Sequence, residues 1–113
     1  MTKIFLAGLL GVWATGAVAH SPLESTTPLH EAVVAQVPAD VLLDFKGPIR
    51  LTRVTMTHTD QDGVDLDLSG HKGFITAYAI PLEAMGSGAY SIAWRGLGID
   101  GHALDGTFMF VVE

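Results

Sequence analysis

From residue 41 onward the chain alternates apolar and polar positions along short runs. In VLLDF, Val41, Leu43 and Phe45 fall on one side, and Leu42 and Asp44 on the other. RVTMT sets Val54 and Met56 against Thr55 and Thr57. FITAYAI aligns Phe74, Tyr78 and Ile80, YSIAW aligns Tyr90, Ile92 and Trp94, and FMFVV aligns Phe108, Phe110 and Val112. Strict alternation is the mark of half-buried strands, because successive side chains point to opposite faces of a sheet. Turn signals stand between the runs: Lys46-Gly47-Pro48, Asp60-Gln61-Asp62-Gly63, Ser69-Gly70, Gly86-Ser87-Gly88 and Asp105-Gly106. Only PLEAMG offers a helical turn, closed by Gly86. Short strands at this spacing, without an amphipathic helix, predict an all-β antiparallel sandwich or barrel. An Ig-like sandwich is the leading architecture, although the usual cysteine pair is absent.

The first twenty residues follow another pattern. Lys3 precedes an apolar run from Ile4 to Val12, and the segment ends in Ala17-Val18-Ala19. A charged start, a short apolar centre and a small-x-small exit describe a secretory signal. The uncharged stretch from Ile4 to Ala19 falls short of the roughly 20 residues a membrane-spanning helix needs. Residues 1–19 are therefore expected to be a cleaved signal peptide and residues 20–113 one domain. No repeat, linker or low-complexity tract divides it. The mature chain would begin at His20, with a free α-amine and no stable insertion in the membrane.

Composition narrows the chemistry. Twelve acids against six lysines and arginines give a net charge of −6, and cleavage would remove Lys3 and no acid, giving −7. An acidic surface argues against nucleic acid or an anionic membrane face as partner and permits a cation. With no cysteine, the fold must hold by packing alone, and any metal site must be built from nitrogen and oxygen.

Of the five histidines, His58 falls at a strand end, His71 in a loop and His30 near an early turn. All three are read as ordinary surface or hydrogen-bonded residues. His20 and His102 differ. An N-terminal histidine can chelate a metal through its α-amine and Nδ1, and an α-amine, with a pKa near 8, yields its proton to metal more readily than a lysine. The other familiar N-terminal copper motif needs a deprotonated amide at the third position, where Pro22 has none. In GLGIDGHALDGTFMFVV, Asp100 and His102 are two apart and would share a face in extended backbone. Amine, imidazole, carboxylate and imidazole in a tetragonal set suit Cu(II), which also heads the divalent affinity order. Zinc would favour a tetrahedron.

These pieces resemble the CopC family of periplasmic copper-resistance proteins, including its YobA-like members. The resemblance rests on the N-terminal histidine with SPLESTTP, on VPADVLLDFKGPI, and above all on GAYSIAWRGLGIDGHALDGTFMFVV. It implies a small Greek-key β-sandwich in the periplasm that binds one Cu(II) per chain through His20, Asp100 and His102. It also implies an inner-membrane copper transport protein as a candidate recipient. The opening His20-Ser21-Pro22 departs from the H-A-H or H-A-x start of many members. Some members also carry a Met-rich Cu(I) site, whereas Met56, Met85 and Met109 are scattered here and read as packing residues.

Three functions compete. The first is a copper carrier or buffer without catalysis. The second is an oxidative copper enzyme, since a histidine brace also occurs in polysaccharide monooxygenases on a related sandwich. The third is a metal-free interaction module. Asp100 separates the first two, because an equatorial carboxylate favours Cu(II) over Cu(I) and occupies a position oxygen would need.

Overall fold

The computed structural model describes residues 22–113. The expected signal peptide and His20 lie outside the described residues. Seven strands follow in order: β1 (Leu23–Thr27), β2 (Ala32–Val34), β3 (Asp40–His58), β4 (Val64–Asp65), β5 (Ile75–Pro81), β6 (Gly88–Gly98) and β7 (Ala103–Val112). No helix forms among the described residues.

The architecture turns on β3. Its first half pairs with β1 and β5, Leu43 standing opposite both Thr26 and Tyr78. Its second half pairs with β6 from Ile49 to His58 and with β4 at Thr55 and Met56. Beyond β6 come β7 and then the short β2, which runs parallel to β7. The result is a sandwich of a β1-β3-β5 layer and a β4-β3-β6-β7-β2 layer, joined by one strand that belongs to both. Phe45 from the first half of β3 meets Trp94 of β6 edge to face, with ring centroids 5.0 Å apart.

Lys46-Gly47-Pro48 was expected to separate two strands, but the chain stays extended through it. The pairing with β5 breaks register between Asp44 and Ile49. The segment is thus the corner where the strand changes layers, a place where glycine and proline are tolerated because ladder bonds are interrupted. A second irregularity follows, where Leu51 faces Gly96 but Arg53 faces Arg95, leaving Thr52 as an extra residue. One inserted residue moves the buried set from one parity to the other. Hence Val41, Leu43, Phe45, Ile49 and Leu51 are buried before the bulge, and Val54, Met56 and His58 after it.

Three further expectations need correction. Asp105-Gly106 is no turn but lies inside β7. A Cβ at Gly106 would stand 2.8–2.9 Å from the Trp94 indole, so the glycine makes room for a tryptophan on the paired strand. PLEAMG forms no helical turn. Pro81 closes β5, and the Tyr90 hydroxyl fixes the segment after it, accepting from the Met85 amide at 2.9 Å and donating to the Gly86 carbonyl at 2.8 Å. Phe74 precedes β5 and does not join Tyr78 and Ile80 in the core; it is 45% exposed.

The remaining alternation is kept. Tyr90, Ile92, Trp94, Phe108, Phe110 and Val112 all point into the core. The Tyr78 hydroxyl, buried beneath the corner, donates to the Ile49 carbonyl at 2.6 Å and accepts from the Leu51 amide at 3.2 Å. It ties β5 to the part of β3 where ladder bonds are interrupted.

Candidate metal centre

Asp100 and His102 sit in the hairpin between β6 and β7. Gly98 closes the loop from both sides: its amide donates to the His102 carbonyl, and its own carbonyl accepts from the Gly101 amide, both at 2.9 Å. Gly101 has φ +86°, a conformation that costs glycine little and other residues much. The turn, not extended backbone, brings the two side chains together. Asp100 Oδ1 accepts from the His102 amide at 3.1 Å, an Asx-type turn, while Oδ2 stands 2.9 Å from His102 Nδ1. The expectation that these residues meet holds, but its geometric reason was different.

The His102 ring holds the Asp100 carboxyl below the usual carboxylate range, and the His102 amide adds to the effect. Both side chains face solvent, at 82% exposure for the histidine and 69% for the aspartate. A side-chain contact this exposed contributes little to stability beyond the turn that Asp100 closes. Imidazole nitrogen and carboxylate oxygen are both ligand types that divalent first-row metals accept.

Among the described residues, no group of three or more histidine, aspartate or glutamate side chains could hold a metal ion. Asp100 and His102 are a pair, and His20, the third expected ligand, lies outside the described residues. Pro22, the first described residue, accepts from the Lys46 amide at 2.8 Å. Three residues beyond Lys46, Ile49 pairs with Gly98 at the base of the Asp100 hairpin. The start of the described chain and the hairpin thus share one end of the sandwich.

The other histidines are engaged elsewhere. His58 Nε2 is 2.7 Å from the Ser87 carbonyl, with its ring on Tyr90. His71 Nε2 is 2.6 Å from the Ala79 carbonyl, and His30 Nδ1 accepts from the Met109 amide at 3.2 Å. Met56 lies buried in the row Met56-Ile92-Phe108, whereas Met109 pairs with Ser91 in the adjacent row and so on the opposite face. These two thioethers cannot share an ion.

A small β-sandwich with a metal-compatible Asp–His hairpin defines the class. The comparisons with known proteins then give the family: residues 23–113 match the CopC domain model, and the chain belongs to the CopC family. It is 27% identical over 129 aligned residues to copper resistance protein C of Escherichia coli, covering 100% of this chain and 98% of that protein. Among solved structures, CopC from Methylosinus trichosporium OB3b superposes with a TM-score of 0.68 at 23% identity, covering 83% of this chain and 94% of that one. PcoC from Escherichia coli, described as a methionine-rich copper resistance protein, gives 0.56 at 25% identity, covering 84% and 100%. The first likeness bears on the fold alone.

Proposed function

We propose that the mature protein is a periplasmic Cu(II) carrier or buffer in copper resistance, binding one ion per chain. The ligands are the His20 α-amine and Nδ1, an Asp100 carboxylate oxygen and a His102 ring nitrogen. The observation that carries the reading is the 2.9 Å approach of Asp100 Oδ2 to His102 Nδ1 on an exposed hairpin. It gains support from the CopC match and from the copper-resistance role in the relatives' names. Residues 1–19 act as the export signal. The partner is the copper ion itself, handed on to an inner-membrane transport protein.

The protein catalyses nothing in this reading. Asp100 as a ligand would occupy a position that oxygen would need, and its charge would offset that of Cu(II). Asp100→Asn is the test, because it keeps the size and one acceptor oxygen while removing the charge. The variant is expected to bind Cu(II) more weakly while Cu(I) affinity changes less, so the reduction potential rises. Each tenfold change in the affinity ratio moves a one-electron couple by about 59 mV, which voltammetry resolves. A folded variant with the potential and spin-resonance spectrum of the parent would place Asp100 outside the coordination sphere.

Acid should release the metal through nitrogen, not through the carboxylate. Asp100 has a depressed pKa in the folded protein. Its charged form is therefore retained above the ordinary carboxylate value of about 3.9 and lost only on acidification below it. Protons compete with Cu(II) for the imidazole and amine nitrogens, so affinity is expected to fall as pH drops. Competition titrations between pH 8 and 5 check this; a decline that begins only near pH 4 would assign binding to carboxylates alone.

A further inference from the structure

An acidic chain usually answers its cations with nearby carboxylates, and this one leaves most of them unanswered. The described residues carry Lys46, Arg50, Arg53, Lys72 and Arg95. Only Arg53 has a carboxylate partner, Asp65, at 3.0 Å. Two of the other four, Arg50 and Lys72, line the same cavity of about 710 Å³, between the bulged part of β3 and the loop that leads into β5. Among the described residues no acid lines it, and Asp67 stands beside it, accepting from the amide of the lining residue Ser69 at 2.9 Å.

The cavity also has an apolar side. Leu68 and Phe74 contribute to its wall, and Phe74 is the aromatic residue that the alternation pattern placed in the core but the fold leaves 45% exposed. Thr52, the extra residue of the bulge, and Ser69 also line it, the Thr52 hydroxyl donating to the Arg95 carbonyl at 3.3 Å. It is a groove open to solvent on one side, with the apolar wall and few polar groups that small-molecule sites present. The two guanidinium and ammonium donors suit a carboxylate, the first by bidentate hydrogen bonding and the second as a point charge.

We infer that this cavity binds a small organic carboxylate with an apolar or aromatic body, the anion held by Arg50 and Lys72 and the body resting on Leu68 and Phe74. The site is separate from the Asp100–His102 pair and does not depend on copper. It is tested with the metal-free mature protein by amide NMR, using 3-phenylpropionate as probe, 3-phenylpropan-1-ol as its uncharged analogue and acetate as the anion without a body. Saturating shifts are expected at residues 50–52 and 68–74 with phenylpropionate, and binding weaker by roughly tenfold or more for the other two compounds. Arg50→Gln and Lys72→Gln should each weaken phenylpropionate binding several-fold, while Arg95→Gln, which removes an unpartnered cation outside the cavity, should not. Shifts that fail to saturate by about 10 mM, equal binding of the alcohol, or equal loss in Arg95→Gln would each overturn the assignment.

Discussion

Protein that retains residues ahead of His20 is expected to lose tight Cu(II) binding while remaining folded. An added residue turns the α-amine into an amide, which is no longer a basic donor, and the six-membered chelate cannot form. Loss of an outer-shell partner typically costs a metal site about 10–100-fold in affinity, so losing a direct chelate should exceed about 100-fold. His20→Ala should weaken binding more than His102→Ala, because it breaks the chelate ring as well as removing a nitrogen. His71→Gln should change little, since that ring is already committed to the Ala79 carbonyl. Isothermal titration against a competing chelator compares the forms. Equal affinity in the extended and mature proteins would sink the N-terminal chelate, and a His71 effect as large as that of His20 would show the wrong histidine had been chosen.

The second large effect belongs to the core. Trp94 is 1% exposed, packed edge to face on Phe45 and laid over Gly106. Trp94→Ala should cost about 3–5 kcal/mol, a large share of the roughly 5–15 kcal/mol that holds a domain together. For a domain of this size it should lower Tm by more than about 12 °C. Gly106→Val attacks the same contact from the other side by pushing a side chain into the indole, at about 1–3 kcal/mol. In the Trp94→Ala background the valine enters vacated space, so the two costs should not add. Additive costs in thermal unfolding would mean that Gly106 is needed for some other reason. None of these core residues is a metal donor, so metal-free protein should be folded at neutral pH by circular dichroism. Metal-free protein that is unfolded there would contradict a core held by packing alone.

Much of this fold was legible because burial has a period of two in strands. The inward sets on β6 and β7, and both halves of β3, follow from alternation alone. What alternation could not show is where a strand continues through a turn signal. Lys46-Gly47-Pro48 and Asp105-Gly106 carry the residues of turns. One is a layer-crossing corner in a continuous strand, and the other a glycine chosen by the bulk of Trp94 on the neighbouring strand. Both causes lie across the sheet and leave no local trace. Phe74 was misplaced for a related reason: its parity matches Tyr78 and Ile80, but β5 begins one residue after it.

At the candidate site, spacing brought Asp100 and His102 together, but the turn at Gly101 does the work that extended backbone was expected to do. His20 is singled out by the segment that precedes it, so the role proposed for it depends on processing as well as on folding. Arg50 and Lys72 went unnoticed because they are 22 positions apart in sequence and meet only where the loop before β5 faces the β3 bulge.

One Cu(II) is expected to join the mature N-terminus to the β6–β7 hairpin. The most direct measurement is anomalous diffraction at the copper edge from crystals of the mature, Cu(II)-loaded protein. It should show one copper per chain, within bonding distance of a His102 nitrogen, an Asp100 oxygen and both nitrogens of His20. A copper peak elsewhere, or one at the hairpin with His20 turned away from it, would contradict the claim.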